Sequence, residues 1–294
     1  MNNTINTDKR WLVWLYFIFL SVVWGSSFIL IKRGLEVYTV WQVASIRLIA
    51  AFVVLGGFAI VSLKKVSLQK LPVIILSGLL SMFLPSYLFC AAQIGISSSI
   101  AGILNALTPA FTFIIGVIFF RQSISKMQIA GLLIGFAGTA IMLLFNSTGN
   151  LTVNAYAFFV VAATICYGIN INLVKKYLAD INPFHFTVIS VSSSGLPALL
   201  YMLLMNREPL LLYSKQNIPA LLAVVTLGIM GTALAQIALN KLIEVSSPIF
   251  ASSYTYVIPF VAIIWGLMDG EILHIGHIIG MILILAGVYI LKKV

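Results

Sequence analysis

Two pairs of side chains stand out by type and spacing inside long apolar runs, Trp24 with Ser27 and Tyr167 with Asn170. In each pair a ring and a polar group lie three residues apart, so both project from one face of a helix. Polar groups in hydrocarbon are costly unless they are paired or line a hydrated cavity. The chemistry open to these residues is recognition rather than bond-making: ring faces for the apolar part of a small solute, hydroxyl and amide groups for its polar part. By the same reasoning Tyr87, Asn105, Gln236, Ser252, Ser253 and Tyr256 are candidate cavity residues. Arg47 is the one charge well inside an apolar run, about two turns from its end. Snorkelling to the interface is the favoured reading of it, with contact to an anionic solute group as the alternative.

Composition says what must position these groups. Of 294 residues, 61% are hydrophobic and 8% charged, and the mean hydropathy is +1.11, whereas a soluble domain carries ~25% charged residues. The chain reads as a polytopic membrane protein whose bulk partner is the lipid bilayer. Its net charge of +10 does not point to nucleic acid, because the basic residues punctuate apolar runs instead of clustering on one polar face. Cys90 and Cys166 sit within apolar runs and read as buried free thiols. The first run, residues 11–31, is too long for a signal-peptide core and reads as a retained span. No Gly is followed by Lys, so there is no phosphate-binding loop and no sign of an ATP-driven pump.

Crossing ~30 Å of hydrocarbon takes about 20 apolar residues. Runs that meet this cover residues 11–31, 41–63, 71–94, 97–120, 127–145, 154–177, 183–205, 219–242, 247–268 and 275–291. The expectation is an all-α membrane protein of ten transmembrane helices. The uncharged loop 146–153 separates a first unit, 11–145, from a second, 154–292, each with five spans. Its Asn-x-Thr triplets at Asn146 and Asn150 read as chance matches. With the amino terminus inside, Lys and Arg number twelve in inner loops and four in outer ones, which places both termini in the cytoplasm. Five is odd, so the second unit must run in the opposite sense to the first. Residue correspondences support a repeat: Trp24-Gly25 with Tyr167-Gly168, Lys32 with Lys175, then Ser97, Ala101 and Pro109 with Ser247, Ala251 and Pro259, and Gly131 and Gly138 with Gly280 and Gly287. Tyr87 is aligned with Gln236. Inverted repeats of this kind typify secondary transporters, whose sites form where the repeats meet.

Each half resembles one copy of the EamA-type domain of the drug/metabolite transporter superfamily. The residues that carry the resemblance are Trp24-Gly25-Ser26-Ser27-Phe28 with Lys32 downstream, Ile46-Arg47-Leu48, Leu107-Thr108-Pro109, and the glycines Gly131, Gly135 and Gly138 with Gly276, Gly280 and Gly287. The family pattern places Gly-Glu after the fourth span of each repeat. Gly270-Glu271 fits it, whereas the first half has Arg121-Gln122. The resemblance implies a ten-helix carrier of small metabolites, often an exporter of amino acids or related compounds, with a central cavity.

No Asp or Glu lies in the middle third of any span, whereas proton-coupled carriers place a carboxylate at depth. The mechanism expected is therefore a facilitator or weakly coupled exporter of a neutral or zwitterionic solute, by alternating access, in the bacterial inner membrane. A broad drug exporter is the nearer alternative and a non-transporting scaffold the more distant one. No enzyme chemistry is expected: Ser192-Ser193-Ser194-Gly195 lacks the Gly-x-Ser-Gly form of an intramembrane protease, and no cofactor motif occurs. His274 and His277 lie beside Asp269 and Glu271, but a metal site needs a further placed ligand, so a wet loop end is the reading there. Pro85, Pro109 and Pro259 read as static kinks. The closely spaced glycines are expected to pack helices internally, and the protein to be a monomer or homodimer.

Overall fold

The computed structural model describes residues 10–120, 125–144, 154–205, 217–245 and 253–293. All regular structure among them is helical. In chain order the segments are α1 (Arg10–Leu35), α2 (Val40–Leu63), α3 (Leu68–Ala92), α4 (Ser98–Phe120), α5 (Lys126–Leu144), α6 (Ala157–Tyr177), α7 (Pro183–Met205), α8 (Ile218–Gly228, continued by Ala235–Val245), α9 (Ile258–Met268) and α10 (Ile275–Lys293). Among the described residues seven helices are long and apolar enough to cross a membrane, α1 to α4 and α6 to α8. In α5, α9 and α10 the apolar stretches are shorter. The outward faces of the bundle carry large apolar side chains, such as Ile18 of α1, Val53 and Ile60 of α2, Leu133 of α5 and Leu204 of α7, each more than half exposed. Apolar surface on that scale has to meet lipid.

Helix starts follow from local sequence. Thr39 caps α2: its Oγ1 accepts from the Gln42 amide while Gln42 Oε1 accepts from the Thr39 amide. Ser125 and Gln128 form the same reciprocal pair at α5, and Ser97 accepts from the Ile100 amide at α4. Pro72 and Pro219 sit in the first turns of α3 and α8, where a missing N–H costs nothing.

The two halves pack reciprocally. Helix α1 lies against α8 and α9, and α6 lies against α3 and α4; α2 meets α8 as α7 meets α3; α2 pairs with α7, and α5 with α10. The reciprocity reaches single residues. Gly25 of α1 touches Val261 of α9, while Gly168 of α6 touches Phe111 and Thr112 of α4. Gly228 of α8 lies on the Arg47 carbonyl of α2, while Gly78 of α3 lies on the Ser190 carbonyl of α7. A Cβ at any of these four would overlap its neighbour, so glycine sets the helix separation. The α5–α10 pair is closed the same way, with Gly138 on the Gly280 carbonyl and Gly287 on Gly131 and Gly135. The closely spaced glycines therefore pack the interior, as expected.

Three helices depart from regular α geometry beside the centre, and none of these departures is visible in apolar periodicity. Helix α3 has a π turn at Leu79–Phe83 and α8 one at Ile229–Leu234, 150 residues further on. Helix α4 breaks between Asn105 and Thr108, where Pro109 cannot donate to the Asn105 carbonyl and the Thr108 hydroxyl donates instead, at 2.8 Å. Before α9, a short 3₁₀ turn at Ser253–Tyr256 precedes Pro259. Broken helices and π turns often mark membrane sites, because they free backbone polar groups where something can use them.

Candidate functional site

These irregular turns surround a cavity of about 100 Å³. At roughly 10–15 Å³ of such volume per water, it has room for several waters or one small solute. Helix α1 contributes Trp24, Ser27, Phe28 and Ile31, and α6 contributes Tyr167, Asn170 and Ile171. The π turns contribute Ser81 and Met82 from α3 and Gly231 and Thr232 from α8, the broken helix Asn105 and Thr108, and the 3₁₀ turn Tyr254 and Thr255. Arg47, Phe89, Gln236, Leu239 and Ile258 complete it.

The structure thus brings together Trp24, Ser27, Asn105, Tyr167, Asn170 and Gln236. Ser252 lies outside the described residues, as do the side chains of Ser253 and Tyr256. Tyr87 does not line the cavity. Its hydroxyl bonds Ser45 at 2.9 Å and its ring packs on Trp41 and Phe83. The alignment with Gln236 is one residue out: the π turns fix an offset of 150 residues, which pairs Gln236 with Ser86 and Leu239 with Phe89. One residue on a helix is about 100° of rotation, enough to turn Tyr87 away from the centre.

Arg47 is a second correction. It does not snorkel: it is 8% exposed, lines the cavity, and its Nε donates to Thr232 Oγ1 at 2.8 Å. The reason is the face it occupies. Val43, Ala44, Ile46, Leu48 and Ala51 around it are buried, so that side of α2 looks into the bundle, not toward lipid. His277 is a third: it is fully buried, and its Nδ1 accepts from the His274 amide, so the start of α10 is a packed turn instead of a wet loop end. No group of possible metal ligands forms among the described residues. Cys90 is buried and Cys166 half-buried, both free.

Several cavity groups are already committed. Trp24 Nε1 donates to the Gly231 carbonyl at 2.8 Å, tying α1 to the π turn of α8, and its ring lies 4.9 Å from that of Tyr254. Ser27 donates to its own helix at Val23, and Asn170 Oδ1 accepts from Ser77 at 2.5 Å. Trp24→Phe removes the indole donor together with the pyrrole half of the ring, so lost packing adds to the lost bond. It should cost at least about 1 kcal/mol, the net worth of one neutral hydrogen bond, read as a drop in melting temperature with secondary structure unchanged.

At one end of the bundle, a charged cluster joins α1, α4 and the turn between α9 and α10. The Gly270 and Glu271 amides donate to the Leu267 and Gly266 carbonyls, a helix end that needs the left-handed Gly270, φ 77°. This turns Glu271 back onto the start of α4. Its Oε1 accepts from the Ser98 amide and hydroxyl, and its Oε2 from the Ser99 amide and hydroxyl, at 2.7 to 3.0 Å. Lys32 lies 3.0 Å from Glu271 and 2.5 Å from Asp269, and Arg33 bridges Asp269 and Glu36. Burial pushes the Glu271 carboxyl up, but the bonds from Ser99, Ser98 and Lys32 outweigh it and hold the carboxyl at about 2. Sequence reasoning found the Gly-Glu pair only as a pattern; its role as a clamp needed the fold.

Long apolar helices around a small polar and aromatic cavity define a multi-pass membrane protein. The chain belongs to the EamA-like transporter family, whose model matches residues 11–144 and again residues 154–292. It is 28% identical over 264 residues to the "Uncharacterized inner membrane transporter YedA" of Escherichia coli K12, covering 86% of this chain and 82% of that protein. It is 24% identical over 276 residues to the "Probable terminal-alkyne amino-acid exporter" of Streptantibioticus cattleyicolor, covering 92% and 90%. It is 23% identical over 283 residues to the "Probable amino-acid metabolite efflux pump" of Salmonella typhimurium, covering 93% and 92%. A solved crystal structure of a chain 15% identical shares the fold, with a TM-score of 0.64 over 96% of each chain.

Proposed function

We propose that the chain is an inner-membrane exporter of a small metabolite, an amino acid or a related compound, working by alternating access. In this reading two five-helix repeats of opposite orientation, 11–145 and 154–292 joined by 146–153, rock about the cavity, with both termini cytoplasmic. The observation that carries it is the cavity itself. Its wall is drawn from both halves at corresponding positions, Trp24 with Tyr167, Ser27 with Asn170, Ser81 with Gly231, Met82 with Thr232 and Phe89 with Leu239. A site shared this evenly can stay fixed while the halves tilt to expose either side. The family membership supports transport, and the names of two relatives support amino-acid-like cargo and the outward direction.

Vesicles reconstituted with the purified protein and loaded with a mixture of amino acids should release a subset of them faster than protein-free vesicles, with no ion gradient applied. Release that depends strictly on a proton or sodium gradient would replace the facilitated mechanism. No release above protein-free vesicles under any gradient would remove transport.

A further inference from the structure

The strongest unassigned chemistry in the molecule is the guanidinium of Arg47. Among the described side chains it meets no carboxylate: those of Glu36, Asp180, Asp269 and Glu271 all lie at helix ends or in turns, and Glu244 falls at the last turn of α8. Its Nε is held by Thr232 in the π turn of α8, and no described residue accepts from its two terminal nitrogens. The backbone beneath it is held as well, because Gly228 packs on the Arg47 carbonyl. A second group in the same wall is also unfulfilled. The Asn105 amide, 8% exposed and placed by the break in α4, has an oxygen with no partner.

A buried charge without a counter-ion is costly, and pairing with an opposite charge offsets that cost only with good geometry. The free edge of a guanidinium presents two parallel donors whose spacing matches the two oxygens of a carboxylate. We propose that Arg47 is an anion subsite for the carboxylate of the transported solute, so that the cargo is a small monocarboxylic acid, above all an α-amino acid. The Asn105 oxygen and the faces of Trp24 and Tyr254 then receive the solute's ammonium group, which a ring face attracts. A cationic amine lacking a carboxylate is repelled by Arg47, and a neutral amide leaves its charge unpaired. This rests on the cavity being the transport site, and it narrows the cargo from neutral or zwitterionic solutes to carboxylates.

The test compares L-phenylalanine and L-leucine with their amides and their deamino acids, 3-phenylpropionate and 4-methylpentanoate. Binding to the purified protein in lipid nanodiscs is followed by ligand-induced thermal stabilisation, for wild type, Arg47→Lys and Arg47→Gln. In wild type at least one amino acid should bind about tenfold to a hundredfold more tightly than its amide, the range of one charged hydrogen-bonded pair. Arg47→Gln should erase that preference by weakening the acid alone, and Arg47→Lys should keep part of it, since a point charge lacks the paired donors. The wild-type comparison needs no substitution, so misfolding of a variant does not decide it. If acid and amide bind wild type alike, if no carboxylate binds, or if Arg47→Gln keeps the preference, the proposal is overturned. Vesicle release separates the two readings: amides released as fast as acids would remove the carboxylate subsite and leave transport intact, whereas carboxylate binding without any release would do the reverse.

Discussion

Glu271→Gln should lower the melting temperature of the solubilised protein by about 6 to 12 °C at pH 7, and Glu271→Ala by at least as much. The carboxylate is 5% exposed, receives four bonds from Ser98 and Ser99, and pairs with Lys32. Glutamine keeps the shape, but turns one acceptor into a donor facing the Ser98 or Ser99 donors and leaves Lys32 with Asp269 alone. Its carboxyl lies at about 2, against an ordinary value of 4.5, which corresponds to on the order of 3 kcal/mol at neutral pH. In a chain of this size each kcal/mol moves the melting temperature by roughly 2 to 4 °C. The pH dependence has a fixed sign. Because the folded value is the lower one, the contribution is fully present above about pH 4.5 and is lost as pH falls through about 2. The gap between wild type and Glu271→Gln should therefore be constant from pH 8 to 5 and close on further acidification. A variant that melts within 2 °C of wild type at pH 7, or a gap that widens in acid, would refute the clamp. No mirror effect is expected from the other half, where the sequence has Gln122 in place of the carboxylate.

Gly228→Ala is the second large effect expected. A methyl group there would run into the Arg47 carbonyl and Ala50 of α2, and backbone cannot give way as the end of a side chain can. Overpacking of this kind typically costs 1–3 kcal/mol. Here it also moves the backbone that carries Arg47 and the π turn that carries Thr232, so release from loaded vesicles should fall further than stability does. Gly78→Ala, which meets the Ser190 carbonyl at 2.6 Å, should cost similar stability with a smaller effect on release, because Ser190 is not a cavity residue. Gly57→Ala is the control: it is exposed with open space around it and should be neutral. Equal melting temperatures for Gly57→Ala and Gly228→Ala would show that the α2–α8 contact is looser than described.

The stripe of Trp24, Ser27, Tyr167 and Asn170 was legible from spacing alone, because three-residue periodicity states which side chains share a face and the repeat supplies the second copy. What spacing cannot state is where that periodicity slips. A π turn adds a residue without leaving a mark in apolar patterning, so everything beyond it rotates and Ser81, Met82 and Thr232 do not stand out in sequence; the pairing of Tyr87 with Gln236 departs by one residue from the offset that pairs Ser97 with Ser247. Arg47 failed for a different reason. Distance from a helix end allows snorkelling, but only the packing of α2 against α7 and α8 decides which way the side chain points. Thr255 looks ordinary in sequence and Thr108 stands only within a family tripeptide; in each case the irregular backbone near a proline is what sets the residue at the cavity. Glu271 stood in a readable pattern, yet its four donors come from residues more than 170 positions away in the chain.

An interior with one fixed cation and no described carboxylate at depth has an electrical consequence. A solute of charge −1 leaving a cell whose interior is 100 mV negative gains ~2.3 kcal/mol, roughly a fiftyfold concentration ratio. A zwitterion gains nothing from the same voltage. If the cargo is a simple carboxylate, the resting potential alone can drive it outward against a gradient, with no proton or sodium carried; if it is an amino acid, it can only flow downhill. Imposing a potassium-diffusion potential across loaded vesicles should therefore accelerate release of 3-phenylpropionate and leave that of phenylalanine unchanged.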